Sequence, residues 1–235
     1  DKNNSKISLL CPTRNRPKFM KELWESALDT SSDVKNLEII FYIDSDDKKS
    51  IKKFKSLKHN TKSIVDKRGE GNLSKMWNRC YEKSSFNIVM HCGDDIRFRT
   101  KNWDEIVANK FNEYDDKIVL VYGDDGVRKD DLATHSFLHK NWIETVGYFL
   151  PPYFSSDMND YWLTTVARNI NRLAKIDIYT EHLHPSIGKH NLDITHQERI
   201  DRGNRDNVRK LYQNKERERL EDYKKLKKFI DEYKK

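Results

Sequence analysis

Short apolar runs that end in charged loops, with helical spacing between them, constrain this chain more than any other feature. Lys6–Cys11 (KISLLC) and Leu37–Ile43 (LEIIFYI) are continuous and apolar, as expected of strands covered on both faces. Between them Phe19, Leu23, Trp24, Ala27 and Leu28 recur at helical spacing. Strand, helix and strand in that order predict a βαβ unit of a parallel sheet. The pattern goes on with a short helix over Ile51–Leu57, a strand over Lys62–Val65 and a helix over Leu73–Lys83. A strand through Ile88, Val89 and Met90, a helix over Trp103–Phe111 and a strand over Ile118–Tyr122 follow.

The chemistry concentrates in FNIVMHCGDD, Phe86 to Asp95. A buried strand that ends in two acids puts charge at the carboxyl edge of the sheet, where open α/β folds bind ligands. Adjacent carboxylates repel, and a hard divalent cation beside them relieves that repulsion with oxygen ligands. The competing reading is a polar turn, since Gly and Asp are ordinary turn formers. A second such run, Gly123-Asp124-Asp125-Gly126, follows the Ile118–Tyr122 strand, so one of the two is expected to be only a turn. The first is preferred because its strand is the more central. The loop KRGEGN, Lys67 to Asn72, is not GxGxxG and no P-loop lysine follows, so no dinucleotide fingerprint is assigned.

From Thr134 the chain becomes aromatic and loses clean periodicity, which suits a pocket wall. Asp157–Arg172 is expected to be a helix with Asp157 at its start. Ile176–Leu183 contains a strand, and His182 and His184 share a face if the strand persists. From about Asn207 the sequence reads as one charged helix with a thin apolar seam, packed on the body or pairing with another chain. The formal net charge of +7 suits an anionic ligand. Nucleic acid is disfavoured because the tail mixes glutamates with its lysines and has no basic face of any length. Three cysteines without metal-site spacing suggest buried, reduced thiols. No apolar run reaches membrane-span length and DKNNSK is no signal peptide, so a soluble cytoplasmic protein is expected.

In order, KISLLCPTRNRP, LEIIFYIDSDD, NLSKMWNRCYEKSS and FNIVMHCGDDI resemble the nucleotide-sugar-binding half of GT-A-fold, family-2-like glycosyltransferases. WIETVGYF and DMNDYWL resemble their acceptor-side segment, and EHLHP their closing segment. The resemblance covers roughly Lys6 to Asp193. It implies an α/β, Rossmann-like fold with a mixed, mostly parallel sheet flanked by helices and a C-terminal helical extension. The expected division is 1–203 for the transferase domain and 204–235 for the charged helix. It further implies that Pro12, Thr13 and Arg14 contact the nucleotide and that Asp44 contacts the base or ribose. Gly71, Asn72 and Lys75 fall near the base and ribose. The DxD motif corresponds to Cys92-Gly93-Asp94-Asp95, which lacks the first acid of a strict DxD. Asp95 is assigned to the metal, and Asp94 to ribose or a metal-bound water.

The same resemblance implies a metal-dependent transfer of a sugar from a nucleoside diphosphate donor, UDP-linked by preference, to a glycan or other hydroxyl acceptor with inversion. A late His completes the metal site in many such enzymes, which points to His184 or His182, and imidazole tips the choice toward Mn²⁺ over Mg²⁺. Lys189 is placed to meet the diphosphate as a point charge. Asp157 matches the general base best, with Asp160 second, and Asp157 is equally a helix cap. Three rival readings are a metal-dependent nucleotidyltransferase, a basic nucleic-acid module, and a catalytically inactive sugar- or nucleotide-binding scaffold. Self-association through the C-terminal helix is a further expectation.

Overall fold

The computed structural model describes residues 5–68, 72–128 and 130–235. Period-two alternation splits each central strand between two cores. Strands β1 (Ile7–Thr13) and β2 (Leu37–Asp44) send Ile7, Leu9, Cys11, Ile39 and Phe41 to one face. Leu10, Ile40 and Tyr42 go to the other. Helix α1 (Pro17–Thr30) starts on a proline, whose fixed φ suits the first helical position, and buries Met20, Leu23, Trp24 and Ala27 on the first face. Between β2 and β3 (Thr61–Asp66) lies α2 (Lys48–Phe54), capped by Asp47. Helix α3 (Leu73–Lys83) packs Trp77 and Cys80 on the second face and leads into β4 (Ile88–His91).

These strands lie in the order β3-β2-β1-β4 and are parallel, with Cys11 opposite Phe41 and Leu10 opposite His91. Strand order reverses between β1 and β4, which places a crevice at their carboxyl ends. Next come β5 (Ile96–Phe98), α4 (Trp103–Asn112) and β6 (Leu120–Asp124). Strand β7 (Phe137–His139), α5 (Lys140–Val146), α6 (Asn159–Asn169) and β8 (Leu173–His182) follow. The sheet continues from β4 as β7-β6-β8-β5, where β7 is antiparallel to β4 and β6, and β8 is parallel to β6 but antiparallel to β5. The expected mixed, mostly parallel α/β sheet is therefore present.

Two expectations about helices change. The tail from Asn207 is not one helix: after α7 (Ile194–Arg205) come two, α8 (Val208–Asn214) and α9 (Glu216–Tyr233). The seam of α9 packs against α5 and α6, burying Leu226 and Ile230, while Leu220 and Tyr233 stay exposed. Helix α6 begins two residues after Asp157, with Met158 as N-cap at φ 87 and no side-chain cap, so Asp157 does not cap it. The three cysteines are free and buried. Among the described residues, no helix is long and apolar enough to cross a membrane.

Candidate active site

The crevice holds a cavity of about 250 Å³. Its floor is the loop from β1 to α1, which turns at Asn15 with φ 57. On one side of that turn Arg14 reaches the end of β2, 2.9 Å from Asp44 and 2.6 Å from Asp46. On the other side Arg16 reaches the end of β4, 2.9 Å from Asp94 and 3.9 Å from Asp95. Burial raises the pKa of Asp44 against the pull of the Arg14 charge.

The two acids that end β4 are in different positions chemically. Both oxygens of Asp94 accept protein hydrogen bonds, one from Thr13 Oγ1 at 2.9 Å and one from Arg16. Burial raises its pKa, and the Arg16 charge only partly offsets that. Asp95 faces imidazoles instead. His182 Nε2 lies 3.3 Å from Asp95 Oδ2, and His196 Nε2 lies 3.8 Å from the same oxygen. Burial alone would raise the Asp95 pKa, but His182 outweighs it and holds the carboxyl well below its usual range.

The second acidic run braces this arrangement. Gly123 is required because a Cβ there would lie 2.3 Å from Ile178 Cγ1 of β8, so β6 and β8 could not approach as they do. Asp125 accepts the backbone N–H groups of Val127 and Arg128 and the Thr134 hydroxyl, each at 2.8 Å. So fixed, its Oδ2 lies 3.4 Å from His182 Nδ1. Burial would lower the His182 pKa, yet the two flanking carboxylates push it up to about 9. The Gly123 run is not the plain turn expected of one of the pair: Gly123 and Asp124 belong to β6, and Asp125 orients the site.

Asp157 and Asp160 also line the cavity. Asp157 is exposed and paired with Arg199 of α7. Asp160 lines the cavity with no salt-bridge partner among the described residues, accepting the Tyr161 N–H at 2.9 Å. Burial, aided by the charge of Asp157, pushes its pKa up to about 6.

Helix α7 closes the crevice from above. Its cap Asp193 accepts Arg16 Nε and Nη2 at 2.7 and 2.8 Å, and Arg16 also meets His196. Thr195 donates to the Arg14 carbonyl at 2.9 Å, and Glu198 pairs with Arg68 at 2.5 Å.

Of the residues singled out in the sequence, Pro12, Thr13, Arg14 and Asp44 line the crevice at the ends of β1 and β2. Asp94, Asp95, His182 and His184 line it at the acid end, and Asp157 and Asp160 line it as well. His184 stands 5.0 Å from His182 between ring centroids, and its Nδ1 accepts the Ser186 N–H of the next turn. Three others do not reach the crevice. Asn72 caps α3 through the Lys75 N–H, Lys75 is exposed, and Lys189 is held 2.6 Å from Glu181. Gly71 lies outside the described residues. Sequence reasoning left Arg16, Asp125, His135, Asp193 and His196 without a role. Arg16 carried a signal, a second arginine in a strand-end loop; the other four meet the site only through tertiary structure.

A model of the family described as glycosyl transferase family 2 matches residues 8–183. The chain belongs to glycosyl transferase family 2. The match ends just past β8, at the residue after His182, so α7 to α9 lie beyond it. Among solved structures, S. aureus TarS 1-349 is 15% identical with a TM-score of 0.57, over 75% of this chain and 60% of that one. The same TarS fragment has been solved with UDP and with UDP-GlcNAc. The mannosyltransferase PcManGT from Pyrobaculum calidifontis, in complex with GDP-Man and Mn²⁺, is 12% identical with a TM-score of 0.61. That likeness covers 87% of this chain and 64% of PcManGT. These likenesses establish the GT-A fold, and this family 2 chain spans about 60% of the TarS fragment it matches. No curated protein matches the sequence.

Proposed function

We propose that this family 2 chain binds a nucleoside diphosphate sugar in the crevice and transfers its sugar, with inversion, to an acceptor hydroxyl. The observation that carries the proposal is that one cavity is lined both by the Asp95–His182 cluster at the β4 end and by Asp160, which has no salt-bridge partner among the described residues. Thr13 and Arg14 hold the nucleotide side, and Asp44 meets the base or ribose.

The donor set fits a divalent cation. A carboxylate oxygen and an imidazole nitrogen face one another at 3.3 Å, and a carboxylate fixed by three donors backs the imidazole, as outer-shell partners of metal-bound histidines do. Asp95 and His182 would hold the cation, and when bound it stabilises the charge that grows on the departing diphosphate. Asp94 is tied to Thr13 and Arg16 and serves to fix that loop.

Asp160 is the general base of this reading, ahead of Asp157. It takes the acceptor hydroxyl proton as the oxygen attacks the anomeric carbon, and the bond to the diphosphate oxygen breaks with its electron pair leaving on the diphosphate. Asp157, also at the cavity, is already engaged with Arg199.

Calorimetric titration of UDP and GDP, each with and without Mn²⁺, tests the donor site. One nucleotide should bind in a metal-dependent way, UDP being the first expectation, and Asp95→Ala should abolish that dependence. Metal-independent binding would transfer the diphosphate to Arg14 and Arg16. No binding of either nucleotide overturns the proposal.

A further inference from the structure

The aromatic stretch before β7 adds one more group to the acid–imidazole cluster. His135 adopts φ 47, the left-handed region that a residue with a side chain rarely occupies. Its buried Nδ1 has no hydrogen-bond partner among the described residues. An unpartnered buried nitrogen and a left-handed backbone are both unfavourable, and such costs gather at functional positions.

The ring is placed where those costs have a use. It stands edge-on to His182, with centroids 4.8 Å apart at 89°. One donor atom from each of Asp95, His135 and His182 lies within 4.8 Å of the others. Gly93 keeps the space beside them clear: a Cβ there would lie 2.8 Å from Asp95 Oδ1 and 3.1 Å from His135 Nε2. Arg16 approaches Asp95 through the other oxygen, Oδ2, so it does not fill that space.

We infer that His135 is a third protein ligand of the divalent cation, giving the site two imidazoles and one carboxylate. This rests on the proposed cation at Asp95 and His182. Mg²⁺ keeps to oxygen ligands and gives up its waters reluctantly, whereas Mn²⁺, although it also favours oxygen, accepts imidazole more readily. The site therefore selects Mn²⁺ over Mg²⁺, a preference that one carboxylate and one imidazole would give only weakly.

The test uses Mn²⁺ and Mg²⁺ alone as probes on the full chain, read by calorimetry and by pulsed electron paramagnetic resonance of bound Mn²⁺. Wild type should bind Mn²⁺ at least tenfold more tightly than Mg²⁺, and the Mn²⁺ spectrum should carry couplings from two imidazole nitrogens. His135→Asn should weaken Mn²⁺ about tenfold, leave Mg²⁺ little changed and remove one coupling. A single imidazole coupling in wild type overturns the inference even if the variant does not fold, and so does an unchanged Mn²⁺ affinity in folded His135→Asn. Wild type that takes no Mn²⁺, with or without UDP or GDP, overturns it too. Nucleotide binding retained in that case would leave the donor-site reading standing without a metal.

Discussion

At the scale of single residues, environment separates side chains that look alike in sequence. Asp157 and Asp160 are three residues apart and both line the cavity, yet Asp157 is exposed and paired with Arg199 while Asp160 has no salt-bridge partner among the described residues. With a pKa pushed up to about 6, Asp160 is ionised at neutral pH but still basic enough to take a proton. The transfer rate should fall about tenfold per pH unit below pH ~6, as the carboxylate is protonated. Asp160→Asn should lower kcat by roughly 10²–10⁴, and Asp157→Asn should change it far less. The stability effect has the opposite sign. A carboxyl with a raised folded pKa stabilises the fold below about pH 4 and loses that contribution as pH rises through about 6. Asp160→Asn should therefore raise the melting temperature at pH 7 by roughly 2–4 °C, for a gain on the order of 1 kcal/mol. A calorimetric scan alongside the rate assay checks both. Asp94 and Asp95 could be found in the sequence because an apolar run leads straight into them, but their division of labour depends on Thr13, Arg16 and His182, which no local pattern connects to them.

At the scale of elements, the helices were legible where their apolar spacing was clean. Helix α3 has the expected bounds, Leu73–Lys83, because Asn72 caps it and Ser84 ends it. Strands β5 and β7 were not legible: each has three residues, too few for a period of two to show. Helix α7 was missed because His196 is its only buried residue, so almost no apolar stripe marks it. The charged tail is expected to pack on the body or pair with another chain, and α9 packs on α5 and α6. Leu226 is fully buried, and Asp222 accepts Trp162 Nε1 at 2.9 Å as well as the Tyr148 hydroxyl. Leu226→Ala should cost about 3 kcal/mol. Asp222→Ala should cost about 2 kcal/mol by leaving those two donors unpaired. Urea denaturation checks both, and cutting the chain before α8 should destabilise the body as a whole.

At the scale of the whole molecule, the sheet order explains why residues far apart in sequence meet. The reversal between β1 and β4 opens the crevice, and the Gly123 contact lets β8 run beside β6 so that His182 arrives at Asp95. The parallel half, β3-β2-β1-β4, could be read from alternating strands and helices. The β7-β6-β8-β5 half could not, since its pairings join segments with no connecting pattern. The proposed function places a diphosphate and a divalent cation together in this crevice at Asp95. Crystals grown with Mn²⁺ and whichever of UDP or GDP binds, measured for anomalous scattering, test it most directly. A manganese peak bounded by Asp95, His182 and the diphosphate oxygens is expected. A diphosphate lying against Arg14 and Arg16 with no manganese at Asp95, or a nucleotide bound elsewhere on the sheet, would contradict it.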